Sequence, residues 1–200
     1  MGKPPSTILV CAGRRIDPPA TSAIRFPLSA VDQVSRRVEA LFREQRVSLV
    51  VSSAACGADL VALKMAQQVG IRFRILLPFP PEQFRKTSVV DRPSLTEWHW
   101  GHLYDQLIEQ AQRARDLIIL DETPEGSVGY QAVNQALVKE AIGLGKQQVG
   151  AVGGSGFAFV KALVIWDGQS RGQTDLTLHF VEEVRAQGLP ILEILTCSSS

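Results

Sequence analysis

A three-layer α/β sandwich around a mainly parallel central sheet is predicted by three observations. Short β-branched runs alternate with longer amphipathic stretches, several of the short runs are apolar at nearly every position, and the joins between them are brief. A parallel strand covered on both faces has no polar side to show, so it loses the alternation of a half-exposed strand. Strands alternating with helices through short joins imply right-handed crossovers within one open sheet.

The elements follow in order. Thr7–Ala12 is the first strand, with Ile8, Leu9 and Val10 in a row. Val31, Val34, Val38, Leu41 and Phe42 recur at spacings of three and four and predict a helix. Val47–Ser52 is the second strand. Leu60, Leu63, Ala66 and Val69 form the stripe of a second helix, with Asp59 placed to cap its start and Gly70 to stop it. The third strand is Phe73–Leu77. Residues Pro78–Trp100, rich in proline, charge and aromatics, read as a long loop with a helical turn. Leu103, Leu107 and Ala111 mark a third helix, Asp116–Asp121 a fourth strand, and Val133, Leu137 and Ala141 a fourth helix. The glycines of Gly143–Gly156 read as a flexible insertion. Lys161–Trp166 is the fifth strand, Leu178, Val181 and Val184 mark the fifth helix, and Pro190–Thr196 is the last strand. The expected organisation is a single Rossmann-like domain over residues 1–200, its core at about 7–196 and a disordered tail at 198–200.

Composition bounds the function. A chain of 200 residues with 45% hydrophobic and 20% charged residues can bury one substantial core. Its 21 basic and 20 acidic residues leave a net charge of +1, which argues against nucleic-acid coating and against anionic membranes. No apolar run approaches the roughly 18 residues of a spanning helix. Cys11, Cys56 and Cys197 are dispersed, as reduced thiols in a cytoplasmic protein would be. His99, His102 and His179 lack metal-ligand spacing with any partner, so no metal and no cofactor is expected.

In open parallel sheets, ligands bind beyond the carboxyl ends of the strands. Five such exits carry candidates. Gly13 lets a ligand approach the backbone, and Arg14 and Arg15 can hold a phosphate or can be solvated turn residues. Ser53, Gly57 and their small neighbours open a helix whose free N–H groups suit an anion, although any strand-to-helix turn needs small residues. Asp59 reads there as a cap. Phe79, between Pro78 and Pro80, is a wall for a planar base or a loop staple. Asp121 and Glu122 at the fourth exit can hold ribose hydroxyls or act on an anomeric carbon, with Tyr130, Gln131 and Asn134 on the helix beyond. At the fifth, Asp167 and Gly168 lead through Ser170, Gly172 and Thr174 to a helix start, a loop able to wrap a phosphate. Neither G-x-G-x-x-G nor G-x-x-x-x-G-K-[ST] is present.

The order of Gly13-Arg14-Arg15-Ile16-Asp17, Ser53-Ala54-Ala55-Cys56-Gly57-Ala58-Asp59, Leu77-Pro78-Phe79 with Phe84 and Ser88-Val89, and Trp166-Asp167-Gly168 with Gly172 and Thr174 resembles the SLOG superfamily. That superfamily includes the DNA-processing protein A and Lonely Guy branches and bacterial sensor domains, and the likeness is nearest to the stand-alone or signalling-associated branches. The resemblance implies a site for a nucleotide or nucleotide-derived signal, in a domain that often pairs as a homo-oligomer. Its phosphoribohydrolase branch carries a PGGxGTxxE loop. Gly172-Gln173-Thr174-Asp175 lacks the proline, the double glycine and the glutamate, and Arg14 stands where many relatives carry histidine. The leading expectation is therefore a ligand sensor, with Gly13, Arg14, Gly57, Gly172 and Thr174 around phosphate, Phe79 or Tyr130 against the base, and Asp121 or Asp167 on the ribose. The alternative is a nucleotide N-glycosidase or glycosyltransferase using Glu122 or Asp167. Single-stranded DNA binding ranks last.

Overall fold

A computed structural model describes residues 6–120, 127–152, 159–172 and 174–197. Six strands form one parallel sheet: β1 (Thr7–Gly13), β2 (Val47–Ser52), β3 (Arg72–Leu77), β4 (Leu117–Ile119), β5 (Val160–Trp166) and β6 (Ile191–Leu195). Their spatial order is β4-β3-β2-β1-β5-β6. The chain thus winds outward from β1 to one edge, then returns across the sheet and continues from β5 to the other edge. The reversal falls between β1 and β5, where the crossovers diverge and leave a crevice.

The apolar runs are explained by burial on both faces. In β1, Leu9 and Cys11 face one core, and Ile8, Val10 and Ala12 face the other. The first core is closed by α1 (Val31–Glu44), α2 (Ala58–Gln68), α3 (Pro81–Ser88) and α4 (Trp100–Arg113). The second is closed by α5 (Ser127–Val152) and α6 (Leu176–Ala186). The expected three-layer α/β architecture is therefore present. No helix among the described residues is long and apolar enough to cross a membrane.

Two local expectations need correction. The glycine-rich stretch after residue 142 is not a loop at its start: α5 continues through Gly143, Gly145 and Gly150 to Val152. Ala141 and Ile142 are buried in the second core and Leu144 packs against it, which offsets the roughly 1 kcal/mol that each helical glycine costs. Residues 153–158 lie outside the described set. The Pro78–Trp100 segment holds a full helix, α3, started by Pro81 in its first turn. Trp98 and Trp100, at the end of this segment, cover the first core and are 3% and 0% exposed. Their indoles donate to the Asp32 carboxylate and the Pro93 carbonyl, both in this chain.

Candidate functional site

The crevice at the β1/β5 reversal is a cleft of about 620 Å³, within the range usual for small-molecule sites. The β1, β2 and β5 exits all open onto it, together with α3 and the start of α5.

The β1 exit is shaped by two glycines. A Cβ on Gly13 would lie 2.1 Å from the Ile165 carbonyl oxygen and 2.7 Å from the Ala58 Cβ, so glycine lets β1, β5 and α2 close together. Gly57, at φ +105°, lies against the chain at Arg14–Ile16, where a Cβ would come within 2.6 Å of the Arg14 carbonyl oxygen. This contact has a consequence for α2. The Ala58 N–H donates to the Arg14 carbonyl at 3.0 Å and the Leu60 N–H to the Ala55 carbonyl at 3.3 Å. The helix start read as an anion site thus has these two donors taken by protein.

Arg14 is 2% exposed. Its Nε donates to Asp167 Oδ1 at 2.8 Å, its two terminal nitrogens donate to the two oxygens of Asp175 at 2.5 and 2.9 Å, and one of them also donates to the Gln169 carbonyl. Four of the five N–H donors of a guanidinium are thereby committed. Asp175 in turn caps α6, accepting the Thr177 and Leu178 N–H groups at 2.9 and 3.3 Å, and it accepts the Arg171 N–H at 2.7 Å. Burial alone would raise the Asp175 pKa, but the hydrogen bonds and charge of Arg14, with the backbone donors, hold it below the ordinary value. Asp167 divides its oxygens between Arg14 and Arg25. Arg14 therefore clamps the β5–α6 loop onto the β1 exit, and it is not a solvent-facing phosphate ligand.

The opposite wall is aromatic. Tyr130 lines the cleft, with its hydroxyl 2.7 Å from Ser88 Oγ. Phe79 stands behind it, edge-on with ring centroids 5.9 Å apart, and is itself 8% exposed. Of the two candidate base walls, Tyr130 meets the cleft and Phe79 braces it. The Ser88 carbonyl accepts the Cys56 N–H at 3.0 Å, tying this wall to the loop that leads into α2.

On that loop's helix sits Asp59, 7% exposed and on the cleft lining. It is the second residue of α2 rather than its N-cap, which is Gly57. One carboxyl oxygen accepts the Ala55 N–H at 3.2 Å; the other takes no hydrogen bond among the described residues. Burial pushes its pKa up to about 7, against the weaker lowering effects of that N–H and of the Arg15 charge. A carboxyl that titrates near neutrality inside a cleft is a common mark of a functional group.

Arginines line the cleft as well. Arg15 contacts the Cys56 thiol at 3.6 Å and pairs with Asp91, yet its Nε is buried without a hydrogen-bond partner among the described residues. The Arg92 Nε is likewise buried without a hydrogen-bond partner among them, with Asp91 Oδ2 4.0 Å away. Arg171 also lines the cleft, and its side chain makes no hydrogen bond or ion pair among the described residues.

Of the residues singled out from sequence, Gly13, Arg14, Ser53, Tyr130 and Thr174 line the cleft. Gly57, Phe79, Asp167, Gly168 and Gly172 do not; they shape the loops behind it. Asp121 and Glu122 lie outside the described residues. Asp59, Ser88, Arg92 and Arg171 are among the lining residues not selected from sequence as ligand contacts. The one available sequence signal for Asp59 was its place as a lone carboxylate in the otherwise apolar run Ala58–Leu63.

No protein-family model matches the chain, and no curated protein matches it. Among solved structures it is similar to DNA processing protein A from Streptococcus pneumoniae, at 13% identity and a TM-score of 0.38. The match covers 94% of this chain and 58% of that protein, so the chain spans less than two thirds of its length.

Proposed function

We propose that the cleft binds a nucleotide or nucleotide-derived small molecule and that the protein is a ligand-recognition module. The observation that carries this reading is the pairing of chemistries in one crevice at the sheet's reversal point. Tyr130 offers a face for a planar base, and Arg15 and Arg92 hold buried guanidinium N–H groups without hydrogen-bond partners among the described residues. An anionic ligand supplies the acceptors those groups lack, which relieves the cost of leaving them unpaired. Arg171 adds uncommitted positive charge. The phosphate role thus passes from Arg14 to these three arginines.

The state of Asp167 weighs against its use in N-glycosidic cleavage, while Glu122, the other candidate for that chemistry, lies outside the described residues. Both oxygens of Asp167 are held by arginines, so it is not available to capture an anomeric carbon.

Calorimetry with purine and pyrimidine mono- and dinucleotides tests the reading. At least one should bind with a Kd of about 100 μM or tighter and be recovered intact. Arg92→Ala should weaken it by about tenfold or more, the scale of one charge-assisted hydrogen bond. Failure of the whole panel to bind, or steady release of free base, would overturn it.

A further inference from the structure

Resting on that reading, we infer that Asp59 is the residue that selects the base, using its carboxyl as a paired donor and acceptor for an amidine edge such as adenine or cytosine presents. The placement comes from a run of contacts. The Ala55 N–H donates to Asp59, the adjoining Cys56 N–H donates to Ser88, and the Ser88 hydroxyl meets that of Tyr130. The carboxyl thus lies along the cleft from the aromatic wall against which a base would rest.

The hydrogen-bond capacity of Asp59 decides the class of edge. Its unpartnered oxygen can carry the proton and donate to a ring nitrogen. The other oxygen, already accepting the Ala55 N–H, has a second lone pair for an exocyclic amino group. Adenine and cytosine present that acceptor beside that donor, whereas guanine and uracil present an N–H where the acid needs an acceptor. The groups facing Asp59 do not supply a competing partner. Arg15 acts on it through its charge, while its guanidinium hydrogen bonds go to Cys56 and Asp91. The Cys11 thiol of β1 is buried, and its own pKa is raised well above the ordinary value, first by burial and then by the charge of Asp59. The Cys56 thiol is also buried, with its pKa raised. Arg92, Asp17, Arg171 and Asp175 line the same cleft. Ionisation removes the donated proton, so recognition of an amidine edge should fade as pH rises through neutrality.

The test measures binding of adenosine, cytidine, guanosine and uridine monophosphates to wild type and Asp59→Asn at pH 6, 7 and 8.5. Asparagine keeps one donor and one acceptor at every pH. In wild type, adenosine or cytidine monophosphate should bind best at pH 6, and its preference over guanosine monophosphate should fall about tenfold or more by pH 8.5. In Asp59→Asn that preference should hold constant; the phosphate's own titration cancels in the ratio. A preference in the variant that still falls with pH as it does in wild type, or guanosine or uridine monophosphate binding best at pH 6, would overturn the inference and leave the nucleotide reading standing. Absence of binding by all four at every pH would overturn both. Should the variant fail to fold by circular dichroism, the wild-type preference ratio across pH decides alone.

Discussion

Asp59, in the first turn of α2, and Asp175, the N-cap of α6, stand at the starts of helices on opposite faces of the same sheet, line the same cleft, and are 7% and 4% exposed. Burial is the first effect on both, yet their pKa values move in opposite directions. Asp175 takes two guanidinium hydrogen bonds and three from backbone N–H groups. Asp59 takes one backbone N–H, and the nearest arginine points its hydrogen bonds elsewhere. The lesson is that position at a helix start does not set a carboxylate's role; the number of donors aimed at it does. One is a structural clamp, and the other is left with capacity to spare.

The clamp offers the largest effect. Arg14→Ala would leave Asp175 and Asp167 as buried carboxylates without their main partner, and should destabilise the fold by about 3–5 kcal/mol in denaturant unfolding. A loss below about 1 kcal/mol would mean that the contrast with Asp59 is not energetic. The clamp's pH dependence has a definite sign. The folded-state pKa of Asp175 is depressed, so its stabilisation is present above the ordinary carboxylate value of about 4 and is lost as pH falls below it.

Asp59 should show the reverse. Its folded-state pKa is raised to about 7, so between about pH 4 and 7 the folded chain holds a proton that the unfolded chain releases, and stability falls as pH rises across that window. Asp59→Asn removes the ionisable group and should therefore raise stability at pH 8 by on the order of 2 kcal/mol more than it does at pH 5. Thermal unfolding at the two values checks this; equal shifts at both would show that Asp59 titrates in the ordinary range.

The smallest effect concerns the wall on Asp59's side. Tyr130→Phe removes the hydroxyl that meets Ser88 and should cost about 1 kcal/mol of stability, while ligand stacking on the ring persists. A tenfold loss of nucleotide affinity in this variant would assign the hydroxyl, rather than the ring, to the ligand.

The layered fold was legible because it rests on local signals. Ile8, Leu9 and Val10, or Leu163, Val164 and Ile165, are apolar in succession because each strand is covered twice. The glycines after residue 142 misled because packing of Ala141, Ile142 and Leu144 outweighs their helix cost. The site was legible in outline only. Gly13 and Tyr130 could be placed from strand and helix ends, but the use of Arg14 could not. An arginine at a strand exit looks the same whether its partners are a phosphate or two aspartates more than 150 residues away. Asp59 resembled a cap for a similar reason: nothing local shows that its N–H partner is a single residue upstream of Cys56 and that its other oxygen is free.

Carboxyl-carbon NMR titration of the aspartates, with and without saturating adenosine monophosphate, tests the central contrast most directly. The expected result is an Asp59 midpoint near 7 that moves when the nucleotide binds, beside an Asp175 midpoint below the ordinary range that does not. An Asp59 midpoint in the ordinary carboxylate range, or equal movement of both groups on adding the nucleotide, would contradict the account.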